Sequence, residues 1–260
     1  MICFIKWVYL TAQKGDFKVK NIKAKVRRNN MFLLLVLLTL ALIIQYLYGQ
    51  NLATSVFSTW LPLSGKVIVI DPGHGGIDGG TSFNNILEKN INLDVSLKLK
   101  RMLEKEGANV IMTRAKDIAL DHLNNKNEYR HKRDLISRVD IINNARPDIF
   151  LSIHVNAEKS SPKTAGPMVF YYFDSVKSRK LAQILQKSLE TAYIEVGHEV
   201  SSRRPVGNTS LFILRNTEPP GVIVEMGFIT NSWDRQLLTT QDFQKKLSKA
   251  IVIAVKEYFS

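Results

Sequence analysis

The sequence predicts a single α/β domain, a sandwich in which helices flank a mostly parallel sheet, preceded by an N-terminal membrane anchor or signal segment. Three observations support this prediction. From residue 66 onward, short apolar runs bounded by turn residues alternate with longer segments of helical periodicity. About 210 residues follow the first fifty, which is enough for one sizeable hydrophobic core but few for a second independent domain. An uncharged apolar run over 32–48 predicts the N-terminal segment.

Each strand is predicted from a short apolar run, and each helix from an apolar stripe. The stripe of the first helix includes Ile91, Val95 and Leu99, and Gly107 follows its predicted end. Alternation of strands and helices of these lengths indicates a parallel sheet. The predicted strands cover 66–71, 109–114, 149–155, 168–173, 211–214 and 221–226. The predicted helices cover about 90–106, 134–145, 175–194 and 241–258.

The N-terminal region combines a basic stretch with the apolar run. Residues 1–31 contain eight Lys or Arg and one Asp, a net +7 of the +13 carried by the whole chain. The positive-inside rule therefore predicts a basic cytoplasmic tail over 1–31 and a transmembrane anchor or signal segment over 32–48. No clean Ala-x-Ala cleavage site follows, which favours retention of the segment. A linker over 49–64 and a folded outer domain over 65–260 complete the predicted organisation.

Charge and cysteine content exclude some classes of protein. Half of the positive charge lies beside the apolar run, where membrane orientation explains it better than nucleic-acid binding, so no nucleic-acid partner is predicted. The remaining +6 suits the anionic polymers of a bacterial wall. Cys3 lies in the tail, so the outer domain has neither a disulfide nor a zinc site closed by cysteines.

Three polar residues are predicted to meet at one edge of the sheet. His74 follows the first strand in a glycine-rich turn, while His154 and Glu225 lie at the ends of later strands. The carboxyl ends of strands in open α/β sheets converge on one edge, where ligands bind. Two imidazoles and one carboxylate form a known donor set for catalytic zinc, and a further carboxylate supplies the general base.

The glycine-rich run from Gly73 to Gly80 also suggests a phosphate-binding loop. No Gly-Lys-Ser/Thr follows, and Asp78 stands where the dinucleotide pattern requires its third glycine. An acidic residue there would repel phosphate. The glycines are therefore interpreted as permitting tight turns beside the site.

Four sequence fragments carry a resemblance to a known family: Val67–Gly76, Leu87–Asn90, Leu151–Ala157 and Val222–Phe228. Together they resemble the zinc-dependent N-acetylmuramoyl-L-alanine amidases. The resemblance covers roughly Gly65 to Phe259. Within that family it is closest to the germination-specific, spore-cortex amidases, because Leu61–Lys66 precedes the first strand and Val110–Arg114 follows in the same order.

The resemblance implies one Zn²⁺ ion held by His74, Glu88 and His154, with Glu225 as the general base. It implies hydrolysis of the peptidoglycan amide bond between N-acetylmuramic acid and L-alanine, during the cortex maturation that yields muramic δ-lactam and prepares germination. It also implies that the protein is membrane-anchored or secreted, with its domain on the extracytoplasmic side of a Gram-positive spore-forming bacterium. Its predicted partners are peptidoglycan, the membrane and an activating lipoprotein.

Several of these residues have a second interpretation. Glu88 also fits a solvated glutamate that the helix dipole favours at a helix start. Asp71 and Asn156 would either orient an imidazole or a substrate amide, or satisfy backbone groups in turns. His122, His131 and His198 are interpreted as solvated loop positions. The candidates for holding a stem-peptide carboxylate are Arg203, Arg204 and Arg215.

Two other functions remain as alternatives. A non-catalytic peptidoglycan-binding or activator protein would be marked by loss of a ligand or of the base, and all four residues are present. A general cell-separation autolysin usually carries wall-binding repeats, and the sequence contains no internal repeat.

Overall fold

The computed structural model describes residue 29, residues 31–47 and residues 61–260. Residues 31–47 form helix α1, whose side chains are exposed. Among these described residues, no helix is both long and apolar enough to cross a membrane. Most of the predicted tail over 1–31, the end of the predicted segment over 32–48, and the predicted linker up to residue 60 lie outside the described residues.

The domain contains eight strands and six helices over residues 61–260. The strands are β1 (Val67–Pro72), β2 (Ser82–Phe83), β3 (Ile86–Leu87), β4 (Asn109–Met112), β5 (Ile149–Asn156), β6 (Met168–Tyr172), β7 (Val206–Asn208) and β8 (Gly221–Phe228). The helices are α2 (Glu88–Lys105), α3 (Arg130–Ala145), α4 (Val176–Ile194), α5 (Phe212–Asn216), α6 (Ser232–Leu238) and α7 (Gln241–Phe259), with a short 3-10 turn at Asp121–Leu123.

Six strands form the main sheet in the order β4-β1-β5-β8-β6-β7. All neighbouring pairs are parallel except β6 and β8, which are antiparallel. Alternate strand residues face opposite sides: Leu151 packs in the core that includes α2, α4 and α7, whereas Phe150 packs with residues of α3 and α5. The predicted sandwich with a mostly parallel sheet flanked by helices is therefore confirmed.

The predicted strand over 211–214 is wrong, because this segment begins helix α5. A four-residue apolar run fits a strand or a helix equally well. The Asn208 side chain accepts hydrogen bonds from the backbone of Ser210 and Leu211, which turns the chain ahead of the helix. Ile213 and Leu214 then bury their side chains in the smaller core. The edge strand β7 lies a few residues earlier than predicted.

Two further differences concern helix starts and a helix that was not predicted. Helices α2 and α3 begin at Glu88 and Arg130, earlier than the apolar periodicity indicates. Helix α6 was not predicted. Asn231 caps it by accepting hydrogen bonds from the amides of Trp233 and Asp234.

Strands β1, β5 and β8 are adjacent and parallel, so their carboxyl ends share one edge of the sheet. His154 and Glu225 are direct cross-strand partners at this edge. His74 follows β1 by two residues, and Glu88 is the first residue of α2. The topology therefore collects four residues that are far apart in the sequence.

Candidate metal centre

Three side chains converge at this edge with their polar atoms facing one another. Glu88 Oε1 lies 3.0 Å from His154 Nδ1, and Glu88 Oε2 lies 3.2 Å from His74 Nε2. The two imidazole rings meet edge to face, with centroids 5.1 Å apart. Glu88 thus bridges the two histidines.

His74 is held by its turn rather than by a regular element. Its φ is 60°, in the left-handed region that few residues other than glycine adopt. Its carbonyl oxygen accepts a 2.7 Å hydrogen bond from Arg138 Nη2. A backbone bridge between Gly75 and Asp78 closes the turn behind it. The unfavourable conformation is therefore fixed by surrounding contacts, as is common at functional sites.

Glu88 is 1 % exposed and is held as a charged carboxylate. Burial favours the neutral acid, but hydrogen bonds and the charges of His154 and His74 outweigh it and hold the pKa of Glu88 well below its ordinary range. Four more donors orient the carboxylate: Thr81 N and Oγ1 to Oε2 at 2.8 and 3.2 Å, Asn92 Nδ2 to Oε1 at 3.1 Å and Val155 N to Oε1 at 3.1 Å. The alternative of a solvated helix-start glutamate does not fit a carboxylate buried in this way.

The donor set fits a zinc ion. One ligand atom from each of His74, Glu88 and His154 lies within 4.8 Å of the others. Two imidazoles and a carboxylate are typical of catalytic zinc sites that keep a position for water or substrate. Imidazole suits zinc better than the hard ions calcium and magnesium.

Asp78 is a residue of this site that the sequence analysis did not assign to it. Its Oδ2 lies 2.9 Å from His74 Nδ1, and its Oδ1 accepts a hydrogen bond from Gly80 N. A carboxylate on the far nitrogen of a metal-binding histidine fixes the ring and leaves the other nitrogen for the metal. The only sequence signal was an acidic residue four positions after His74.

Glu225 faces the same site from β8. Its Oε2 is shielded from solvent and has no hydrogen-bond partner among the described residues. Burial, the largest effect, raises the pKa of Glu225 to about 7; His154 and His74 lower it while the charge of Glu88 raises it. A carboxylate whose pKa lies near neutrality can both accept and donate a proton.

Two glycines leave room for the metal-site side chains. A Cβ at Gly73 would lie 2.2–2.6 Å from three ring atoms of His154. A Cβ at Gly80 would lie 2.5 Å from Glu88 Oε2 and 2.7 Å from His74 Cδ2. The close approach of backbone to these side chains therefore requires glycine at both positions.

Asp71 contacts neither imidazole. It is fully buried, and its carboxylate accepts hydrogen bonds from Thr113 Oγ1 at 2.6 Å, Ser152 Oγ at 2.7 Å and Arg138 Nη1 at 2.6 Å. Arg138 also binds Asp134 and the carbonyl oxygens of Pro72 and His74. These contacts fit the structural interpretation, in which Asp71 supports the His74 turn through Arg138; orientation of an imidazole or a substrate amide by Asp71 stays a prediction.

Among the described residues, no hydrogen bond or ion pair joins Asn156 or the candidate arginines to His74, Glu88 or His154. The Asn156 side chain accepts a hydrogen bond from the backbone of Ala157, which fits its turn interpretation. Arg215 is exposed at the end of α5, and Arg204 is exposed in the loop before β7. Arg203 lies partly buried, about 5.6 Å over the Phe228 ring.

The three remaining histidines differ in their surroundings. His122 and His131 are exposed, as predicted, although His131 Nδ1 lies 3.9 Å from Asp78 Oδ2. The prediction for His198 is wrong. Its Nε2 lies 3.1 Å from Asp234 Oδ1, and its ring stacks on Trp233 with centroids 4.9 Å apart. It is part of a packed cluster rather than a solvated loop residue.

Comparison with known proteins agrees with this fold and site. The family model described as N-acetylmuramoyl-L-alanine amidase matches residues 68–257, and the chain belongs to this family of amidases. The germination-specific N-acetylmuramoyl-L-alanine amidase of Bacillus subtilis is 34% identical over 228 residues, which cover 87% of this chain and 93% of that protein. The resemblance recognised in the sequence is therefore confirmed.

Two further relatives place the domain among cell-wall enzymes. The CwlD amidase of Clostridioides difficile, solved in complex with the GerS lipoprotein, aligns with a TM-score of 0.68 at 33% identity, covering 75% of this chain and 98% of that one. The probable cell wall amidase LytH of Staphylococcus aureus is 36% identical over 202 residues, 76% of this chain and 60% of that protein.

Replacement of Gly73 by alanine should displace His154 and weaken zinc binding by more than about 10-fold, because the new methyl group has no space beside the ring. Competition with a chromogenic chelator measures the affinity. Gly79→Ala is the matched control, since a Cβ there meets only Leu87 Cδ2 at an ordinary 3.5 Å. Equal affinities for both variants would contradict the crowding at His154.

Replacement of Asp78 by asparagine should weaken zinc binding by about 10–100-fold, because His74 loses the carboxylate that orients it. The same chelator competition measures the effect. Asp117→Asn serves as the control, because Asp117 also anchors the turn, through Gly76 N and Lys89, without touching an imidazole. If Asp78→Asn loses no more zinc affinity than Asp117→Asn, the role of Asp78 is to anchor the turn and not to orient the His74 ring.

Stability of the metal-free protein should fall as pH rises through about 9. Burial lowers the pKa of His74, but Glu88 and Asp78 outweigh it and raise the pKa from 6.5 to about 9. The folded state therefore holds a proton that the unfolded state releases above about 6.5, and stability on the order of 3 kcal/mol is lost as the pH rises through about 9. Urea unfolding with EDTA between pH 6 and 10 measures this. His74→Gln should flatten the profile; an unchanged slope would contradict the prediction.

Proposed function

We propose that this chain is a zinc-dependent peptidoglycan hydrolase that cleaves the amide bond between N-acetylmuramic acid and the L-alanine of the stem peptide. The observation that carries the proposal is the convergence of His74, Glu88 and His154 beside Glu225 in a member of the amidase family. His74, Glu88 and His154 would hold the ion. When bound, zinc supplies an activated water and a charge that polarises the amide carbonyl.

Glu225 performs the proton transfers. Its buried Oε2, which has no partner among the described residues, is available to accept a hydrogen bond from the attacking water. As the water attacks the lactyl carbonyl carbon, Glu225 takes its proton. The same carboxyl then donates that proton to the alanine nitrogen as the C–N bond breaks. The products are the muramic acid carboxylate and a stem peptide with a free amino terminus.

Glu88 and Asp78 keep the two imidazoles fixed during this reaction. Glu88 is positioned by backbone amides on two sides and cannot swing away from the site. Asp78 directs the Nε2 atom of His74 inward. The low mobility of these groups favours catalysis because no reorganisation is needed as charge develops.

We propose that the cleavage serves spore cortex maturation, in which stripped muramic acid becomes muramic δ-lactam, and germination. The similarity to the germination-specific amidase of Bacillus subtilis over most of both chains supports this role. A lipoprotein partner is proposed because a similar amidase was solved with one. The similarity to probable cell wall amidases keeps a general autolysin as the second candidate.

The segment over 32–48 is proposed to act as a membrane anchor or signal, with the zinc domain on the extracytoplasmic side. Its support is the uncharged apolar sequence beside the basic tail. The side chains of residues 31–47 are exposed, which suits a helix whose surroundings are apolar.

Replacement of Glu225 by alanine should lower kcat by about 100-fold or more, because Glu225 supplies the only buried carboxylate oxygen without a hydrogen-bond partner among the described residues. The purified full-length chain is incubated with zinc and peptidoglycan, and the muropeptides are analysed by mass spectrometry. Wild type should release stem peptides with free L-alanine amino termini. Glu257→Gln, an exposed glutamate on α7, is the control and should match wild type.

Two outcomes of this experiment would contradict the proposal. Release of stems by Glu225→Ala at the wild-type rate would remove Glu225 from the reaction. Intact stems with wild type, also after addition of a candidate lipoprotein, would favour the non-catalytic wall-binding alternative.

A further inference from the structure

Strand β8 contains a bulge directly after Glu225. His154 of β5 pairs with Glu225, but Asn156 pairs with Phe228, so β8 advances three residues while β5 advances two. The extra residue in such a bulge leaves the regular ladder and turns the neighbouring side chains. The bulge therefore controls the direction in which the Glu225 side chain leaves the strand.

Two buried side chains bind the backbone of this bulge. Tyr193 of α4 donates a 2.7 Å hydrogen bond from its hydroxyl to the carbonyl oxygen of Met226. Asp234 of α6 accepts a 2.7 Å hydrogen bond from Phe228 N. Both side chains are 0 % exposed. Backbone groups displaced from a ladder need such partners when they are buried.

The bulge leaves no space for a side chain at residue 227. A Cβ at Gly227 would lie 2.2 Å from the Tyr193 hydroxyl and 3.0 Å from Asp234 Oδ2. The two side chains can therefore reach the backbone only because residue 227 is glycine. Tyr193, Gly227 and Asp234 are here called the bulge clamp.

The bulge clamp also reaches the strand on the other side of Glu225. Asp234 Oδ2 accepts a second hydrogen bond, at 2.8 Å, from Gly166 N. Gly166 lies two residues before Met168, which pairs with Glu225 from β6. His198 approaches the other oxygen of Asp234 and fixes the carboxylate. The Asp234 carboxylate thus binds both the backbone just before β6 and the end of β8, beside the site.

Glu225 depends on its backbone for its position, because its Oε2 has no hydrogen-bond partner among the described residues. We propose that Tyr193 and Asp234 are positioning residues that hold the bulge and thereby aim the Glu225 carboxylate at the site formed by His74, Glu88 and His154. This inference rests on the proposed role of Glu225 as general base. It assigns a function in catalysis to two residues that contact neither metal ligand nor substrate.

The test compares Tyr193→Phe with Ser188→Ala in the full-length chain. Both remove one hydroxyl of α4 that donates to a backbone carbonyl, Met226 in the first case and Ala250 in the second. Tyr193→Phe should lower kcat on soluble glycan fragments carrying stem peptides by about 10-fold, with KM and zinc affinity unchanged, because a small misplacement of a reacting group is costly. Ser188→Ala should leave kcat unchanged.

Two further measurements separate positioning from a general loss of stability. Hydrogen exchange at residues 226–228 should accelerate in Tyr193→Phe and not in Ser188→Ala. In a Glu225→Ala background, Tyr193→Phe should change the residual rate by less than about 2-fold, because a residue that acts through Glu225 has nothing left to position. Gly227→Ala should reproduce the kcat loss of Tyr193→Phe.

Each contrary result has a distinct meaning. A wild-type kcat per zinc-loaded molecule in Tyr193→Phe, or an equal fold-loss with and without Glu225, would overturn the positioning role alone. Full activity of Glu225→Ala would overturn the general-base proposal and the positioning role with it.

Discussion

The ion pairs of Arg138 are the interaction on which the rest of the site depends. This buried guanidinium binds Asp71 at the end of β1 and Asp134 within α3, and it donates to the carbonyl oxygens of Pro72 and His74. Burial opposes the charge of Asp71, but the charge of Arg138 together with the hydrogen bonds from Thr113 and Ser152 outweighs it and lowers the pKa of that carboxyl. Removing one partner of such a network leaves a buried charge, which typically costs about 3–5 kcal/mol. The strained turn of His74 rests on this network.

The site residues lie partly on rigid strands and partly in a turn, and additional contacts hold the residue in the turn. His154 and Glu225 lie on central strands, where pairing on both sides limits their movement. His74 lies in a turn, where Arg138 and Asp78 supply the missing restraint. Preorganisation of a site requires support beyond the groups that react. Arg138 and Asp78, which are not among the three metal ligands, therefore determine how firmly His74 is held in position.

The sequence analysis predicted the sheet, most of the helices and three of the site residues, His74, His154 and Glu225, because apolar runs and the residues at strand ends carry local signals. Glu88 precedes a helix and was added only by the resemblance to the amidase family. It missed α5 and α6, whose short apolar segments have no clear period and whose starts depend on Asn208 and Asn231. It did not assign Asp78 to the site, and it missed Tyr193 and Asp234. Their contacts arise when distant elements pack, and a tyrosine on a helix stripe looks like any core residue. The sequence left two roles open for Asp71, and its contact with Arg138 became visible only once β1 and α3 were packed together.

The spacing of the three ligands along the chain has a consequence for folding. Glu88 and His154 are 66 residues apart, and residues 61–260 contain no cysteine with which to form a covalent cross-link. An ion held by His74, Glu88 and His154 would tie the beginning of the domain to its middle, much as a disulfide does. Closing a long loop limits the conformations of the unfolded chain, and a ligand that binds only the folded chain adds its binding energy to stability. Metal supply would then govern how long the domain survives proteolysis, independently of its catalytic rate.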